Sequence, residues 1–231
     1  MSGGLLPVLH ARSTAFSYDC RACSRCCYGR RIQVNPYELA RLSRGLGITT
    51  TEVIAQFTVD GGTALAIRAD TACTFLGREG CTVHPDRPLV CRLYPLGRIV
   101  QADGTETFVE NEPHPQTEGL YGEDGTVGSY VQSQSVAPYI AAADRYYAAL
   151  ARLMTRGEVR GTGFGDTVGR ATASNDDANA EIDPLVFIDA DLAVRTDVAR
   201  GGAPVPADVD ALVDRHLALI ERWAEELIRD R

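Results

Sequence analysis

Between Cys20 and Cys27 the chain reads Cys-Arg-Ala-Cys-Ser-Arg-Cys-Cys, four thiols in eight residues. Thiolates bind soft and borderline metal ions and iron–sulfur clusters, and a Cys-x-x-Cys step lets one short turn aim two sulfurs at one centre. The step occurs twice in register, Cys20 to Cys23 and Cys23 to Cys26, and Cys27 follows directly. Adjacent cysteines seldom close on the same ion, so Cys26 and Cys27 point to a multi-iron cluster or to two neighbouring centres. The alternative is a set of buried hydrophobes or disulfides. Against it, Arg21, Ser24, Arg25 and Tyr28 leave no apolar run for a core.

A second block supplies Cys73, Cys81 and Cys91. The turn Gly77 to Gly80 predicts a knuckle-like hairpin that sets Cys73 near Cys81, and a helical turn after Pro88 carries Cys91 back towards them. A site shared by the two blocks would tie them together as a metal staple. Seven cysteines cannot all pair within the chain, and no convincing signal peptide or apolar stretch of about 20 residues is present. The expectation is a cytoplasmic protein with no membrane partner, in which thiols stay reduced and metal ligation outranks a disulfide framework.

The charge balance, 31 acidic against 23 basic residues for a net −8, argues against a nucleic-acid partner, because phosphate binding needs a basic surface. Arg21, Arg25, Arg30 and Arg31 nevertheless crowd the first cysteine block. They could hold an anionic ligand, temper thiolate charge, or form a solvated face.

The length and the 45% hydrophobic content suit one large domain or a small domain with an extension. The pattern predicts an α+β, predominantly helical protein: a cysteine-rich metal-binding region with small hairpins over 16–115, packed against helices over 116–231. Arg31 to Val34 reads as a short strand. Asn35, Pro36 and Glu38 start a helix as N-cap, first residue and third residue. Its stripe is Leu39, Leu42 and Leu46, and Gly45 with Gly47 ends it. A second helix starts near Thr50 with Val53, Ile54 and Phe57 inward, and Thr63 to Ala69 reads as a strand. Arg98 to Val100 and Thr107 to Val109 flank an Asp103-Gly104 turn as a hairpin. Gln116 to Gly128 reads as loop. Pro138 opens a helix through Met154, with Ile140, Ala143, Tyr147, Leu150 and Met154 on one face. A flexible connection is expected over about 156–180; its Gly161-Thr-Gly-Phe-Gly lacks the Lys-Ser/Thr ending of a phosphate loop. Leu185 to Ile188 reads as a strand, and Asp189 or Asp191 caps a helix ending at Gly201-Gly202. The last helix runs from about Ala207 to Arg229 on a stripe of Val209, Leu212, Val213, Ile220, Trp223 and Leu227. His10 and His216 read as ordinary surface or helix residues.

Taken together, CxxCxxCC, then Cys73-x-Phe-Leu, then Cys81-x-Val-His-x-x-Arg-Pro-x-x-Cys-Arg-x-Tyr-Pro95 resemble the YkgJ-type cysteine-cluster family of zinc- or iron-chelating domain proteins, over about Phe16 to Leu96. The cluster alone is also similar to that of flagellin lysine methylases, which implies an iron–sulfur centre and S-adenosylmethionine. Where many family members carry a further Cys-Pro-Gly, this chain has His114-Pro-Gln. His replaces Cys as a ligand through its neutral imidazole. The ligand candidates are therefore Cys20, Cys23, Cys26, Cys27, Cys73, Cys81, Cys91 and His114, with His84 the rival imidazole. Eight donors divide into two four-ligand sites. Without His114, Cys73, Cys81 and Cys91 would form a three-thiolate centre with an open position. Arg87, Arg92 and Tyr94 are then placed to bind a cofactor or substrate anion. Two functions follow: an iron–sulfur protein, 4Fe–4S favoured, acting as a redox or S-adenosylmethionine-dependent enzyme on a small molecule, or a non-catalytic zinc module that binds a protein partner.

Overall fold

Residues Asn35 to Glu38 build a helix start that is bonded from both sides. The Asn35 side chain accepts from the Glu38 amide at 3.1 Å and the Glu38 carboxylate accepts from the Asn35 amide at 2.8 Å, a reciprocal capping box with Pro36 at the first helical position. In the computed structural model, which describes residues 8–101, 103–154 and 183–229, this start opens α1, Pro36–Leu46, closed by Gly47 in the left-handed region at φ 70°. Leu39 and Leu42 are fully buried, whereas Leu46 lies in the last turn and is exposed. A second capping box, Thr49 with Glu52, opens α2, Thr50–Phe57.

Helices and short antiparallel strands share the described residues. β1 (Leu9–His10), β7 (Leu96–Val100) and β8 (Glu106–Glu110) form a three-stranded sheet in the order β1-β8-β7, with Leu96 opposite Glu110. β2 (Ala15–Asp19) pairs with β9 (Leu120–Thr126), Asp19 opposite Leu120. Two-residue pairs complete the strands: β3 (Thr58–Val59) with β4 (Ala64–Leu65), and β5 (Leu76–Gly77) with β6 (Gly80–Cys81). α3 is Leu89–Leu93, α4 Val127–Ser133 and α5 Ala137–Met154, and further on come α6 (Ala190–Ala199) and α7 (Val209–Arg229). α7 packs against α1, α5 and α6, and α6 also meets α2. One apolar core runs from Phe16 through Leu39, Leu93 and Phe108 to Ile188, Ile220 and Trp223.

Several local expectations need correction. Gln116 to Gly128 is not all loop: Leu120–Thr126 is a strand, because β2 offers it a ladder that its Gly- and acid-rich composition would not suggest alone. Arg31 to Val34 and Thr63 to Ala69 are mostly irregular; β4 and isolated bridges at Gln33 and Ile67 are what remain of them. Leu185 to Phe187 lie in a 3-10 turn, Pro184–Phe187, that Ile188 closes, which suits the Asp183-Pro184 start better than a strand. On α5 the buried stripe is Tyr139, Ala142, Tyr146, Ala149 and Leu150, so Tyr147 is exposed. His216 is fully buried, held by the Tyr146 hydroxyl at 2.9 Å and the Val186 carbonyl at 2.7 Å. Asp189 caps α6, as expected. The 156–180 connection and its glycine run lie outside the described residues. Among the described residues no helix is long and apolar enough to cross a membrane.

Candidate metal centre

The first cysteine block leaves β2 at Asp19 and runs without regular structure until a 3-10 turn, Arg25–Cys27. Ala22 and Ser24 both take positive φ, 53° and 59°, a conformation that costs L-residues roughly 1–2 kcal/mol each. These two reversals bend the segment, and Cys20, Cys26 and Cys27 of it reach one cavity wall. Backbone bonds then tie this block to the second. The Cys73 amide donates to the Cys27 carbonyl at 2.8 Å, and the Gly29 amide to the Thr71 carbonyl at 2.9 Å.

In the second block, the β5–β6 hairpin sets Cys81 opposite Leu76, and the Leu76 amide donates back to Cys73. Cys91 rides on α3. The start of that helix is fixed from a distance: the buried Glu38 carboxylate accepts from the Leu89 amide at 2.6 Å while capping α1. Glu38 thus links the two helix starts, and its burial raises the carboxyl pKa to about 7. Arg92, on the same turn, donates to the carbonyls of Arg87 and Pro85 and to the Tyr139 hydroxyl, holding the Pro85–Arg87 loop against α5.

Cys20, Cys26, Cys27, Cys73, Cys81 and Cys91 line one cavity of about 1170 Å³, with His84 and His114 also on its wall. Cys23 stands outside that lining. Burial pushes its thiol up, but hydrogen bonds from the Glu118 and Arg25 backbone and the Thr117 hydroxyl outweigh this and lower it. All seven cysteines are unpaired, and the sulfurs of Cys26 and Cys27 lie 4.0 Å apart. The thiols face a common space without converging: among the described residues no group of three His, Cys, Asp or Glu side chains is close enough to grip an ion.

Electrostatics within the cavity fit a thiolate-bound cation. Burial and mutual repulsion push Cys91 upward, and burial raises Cys73 and Cys81. Cys26 is held down at about 7, first by the Cys27 thiol donating to it and then by Arg30 and Arg87; Cys27 is raised as the donor of that bond. Gathering several thiolates in a buried space is costly without positive charge. A metal ion or cluster supplies that charge and deprotonates its thiol ligands outright.

His114 is half-buried and turned back on its own loop, Nδ1 accepting from the Gln116 amide at 3.1 Å. A neutral imidazole has one N–H, so an accepting Nδ1 leaves the proton on Nε2 and neither nitrogen free to ligate. Ligation through His114 therefore requires this turn to open. The exposed His84 receives a bond from Arg87, whose Nη1 lies 3.0 Å from its Nδ1. Tyr94 and Arg87 line the cavity, and Arg30 stacks on the Tyr94 ring at 4.9 Å. Tyr18 and Tyr130 extend this aromatic wall, Tyr18 meeting Tyr94 edge-on at 5.8 Å. Neither tyrosine belongs to the site residues expected from the sequence. Tyr18 could have been flagged by its place two residues before Cys20, but Tyr130 carries no local signal.

Residues 19–114 match the family model described as CxxCxxCC, "Putative zinc- or iron-chelating domain". The resemblance read from the cysteine spacing thus holds for that segment. No curated protein and no solved structure matches the chain.

Proposed function

We propose, on the premise that residues 19–114 form a chelating domain of the CxxCxxCC family, that the cysteine-lined cavity holds an iron–sulfur centre, 4Fe–4S in the favoured form. One observation carries the reading: six cysteines from two distant blocks line a single cavity, two of them adjacent in sequence with sulfurs 4.0 Å apart. One tetrahedral zinc ion uses four ligands, fewer than this wall offers. Such a centre supplies an electron, or Lewis acidity at an iron without a protein ligand.

The protein's own residues would divide the work. Cys20, Cys26 and Cys27 would ligate from the first segment, Cys23 only if that segment turned it towards the cavity, and Cys73, Cys81 and Cys91 would ligate from the hairpin and α3. With His114 turned away, the second set leaves a position open. Arg30 and Arg87 moderate the thiolate charge near Cys26. This suits a cytoplasmic redox protein or an S-adenosylmethionine-dependent enzyme acting on a small molecule. The zinc reading rests on a different observation. Seven cysteines plus His114 number eight donors, enough to close two tetrahedral sites in a structural module for a protein partner.

The deciding experiment is iron, zinc and acid-labile sulfide analysis with a visible spectrum on protein purified without oxygen. Iron with sulfide and broad visible absorption is expected. About two zinc ions per chain without sulfide would replace the cluster by the structural module. Cys23→Ala and Cys91→Ala should each lower bound metal and thermal stability; full metal content and unchanged melting in both would remove the metal staple.

A further inference from the structure

Few arginines on the cavity wall are neutralised, although the chain as a whole is acidic. Elsewhere, Arg12, Arg41, Arg98, Arg215 and Arg222 each meet a carboxylate within 3.0 Å. Arg25, Arg30 and Arg87 line the cavity, and among the described residues none of them has a carboxylate partner. The Arg25 Nε is buried without any hydrogen-bond partner. Arg30 spreads its guanidinium on the Tyr94 ring, and the Arg87 guanidinium meets the His84 ring. Of the acids on the wall, Asp19 pairs outward with Arg21 at 2.8 Å, leaving Glu79 and Glu112.

Tyr94 supplies the second, independent sign of a ligand. Its side chain lines the same cavity and is 8% exposed, yet its hydroxyl has no hydrogen-bond partner. The Tyr121 hydroxyl beside it likewise has no partner of good hydrogen-bond geometry, although the two hydroxyls lie close enough to interact with each other. A buried hydroxyl left unpaired costs roughly 1–3 kcal/mol, as does a buried guanidinium N–H without an acceptor. Both are donors. The group that would satisfy them is an acceptor of negative charge whose oxygens reach several donors at once, the property for which guanidinium forks are suited.

We propose that Arg25, Arg30, Arg87 and the Tyr94 hydroxyl form a binding subsite for a small oxyanion, a carboxylate or a phosphate ester, on the wall of the thiol cavity. Arg92 stands apart from this set, since three donor contacts already brace the Pro85–Arg87 loop. The subsite deepens the metal reading: an anion anchored here sits in the same cavity as the Cys73, Cys81 and Cys91 thiols, beside the position that His114 leaves open. The anion site itself stands on the arginines and Tyr94, so it can be tested separately from the metal.

The test is isothermal titration calorimetry on the full chain as purified without oxygen, with metal content measured on every sample and ionic strength held constant. The probes are succinate and inorganic phosphate. Saturable binding of succinate assigns the subsite to carboxylates, and saturable binding of phosphate assigns it to phosphate esters. Arg30→Gln and Arg87→Gln should each weaken the bound probe about tenfold or more, and Tyr94→Phe severalfold, at unchanged metal content. Arg68→Gln, which alters an arginine paired with Asp70, should bind as the wild type does. Arg30→Lys keeps the charge for the case in which Arg30→Gln fails to fold, and should retain part of the affinity. Two results overturn the proposal: no saturable binding of either probe, or affinities unmoved in the Arg30, Arg87 and Tyr94 variants. If affinity is unmoved but metal is lost, the arginines serve only to balance thiolate charge. Anion binding in a sample free of metal would leave the subsite standing and refute the centre.

Discussion

Glu38→Ala should be among the most destabilising single substitutions in this protein, although Glu38 lies outside the cysteine blocks. The side chain is 2% exposed and accepts two backbone N–H groups, Leu89 at 2.6 Å and Asn35 at 2.8 Å. Removing it orphans both donors, each at roughly 1–3 kcal/mol, so the expected loss is about 4 kcal/mol. That is a large share of a stability of about 5–15 kcal/mol. Glu38→Gln keeps one acceptor oxygen and should lose about half as much. Urea unfolding at pH 8, with metal-loaded and metal-stripped samples compared, measures both losses. The loaded protein should lose more than the stripped one, because the Leu89 amide begins the helix that carries Cys91. The carboxyl also has a pH signature. Its folded pKa is raised from 4.5 to about 7 by burial, so between those values the native state holds a proton that the unfolded chain has released. Stability from this group is present below pH 4.5 and is lost as pH rises to 7, by about 3 kcal/mol in all. A loss under 1 kcal/mol in Glu38→Ala would refute the bridging role.

His216 should titrate with the opposite sign. Burial lowers its folded pKa from 6.5 to about 4, so the unfolded chain takes up a proton first and stability rises by about 3 kcal/mol from pH 4 to 6.5. In wild type this nearly cancels the Glu38 contribution; in Glu38→Gln it should stand out as a rising acid limb, and a flat profile there would mean that His216 is charged inside the core. Ser24→Val should cost at least about 1 kcal/mol, because a β-branched residue tolerates φ 59° poorly, whereas Ser24→Gly should be neutral or stabilising; chemical unfolding of the two variants decides it. His114→Ala should leave metal content unchanged if the loop turn seen here persists in the loaded protein, and a partial loss of metal would establish His114 as a ligand.

Features set by neighbouring residues were legible before the structure. Asn35, Pro36 and Glu38 marked a helix start because each acts within one turn, and the Asp103-Gly104 turn marked the β7–β8 hairpin. Features set by distant partners were not. β9 is a strand because β2 lies beside it, and the glycines of Leu120–Thr126 hide that. His216 reads by residue type as an ordinary surface or helix residue, and it does lie on a helix; it stands four residues after Leu212 and four before Ile220, on the stripe that meets the core, so periodicity is the better guide to its burial. The cysteines advertise themselves by spacing. The tyrosine wall and the Glu38 bridge do not, since they depend on side chains brought together from separate segments.

The pairing of β2 with β9 also bears on how the protein is made. Asp19 immediately precedes Cys20, and its partner Leu120 lies beyond His114, so the ladder closes a loop of roughly a hundred residues around both cysteine blocks. Contacts of such separation form late and slow a folding reaction. On the ribosome, Cys20 to Cys27 emerge well before Cys91 and long before β9. During that interval the early thiols are accessible to any oxidant or stray ion, because Cys73, Cys81 and Cys91 follow them by roughly fifty residues or more. Delivery of a metal to this protein is therefore a problem of timing, and a chain loaded before the second cysteine block has emerged would be captured with only the four candidate donors of the first.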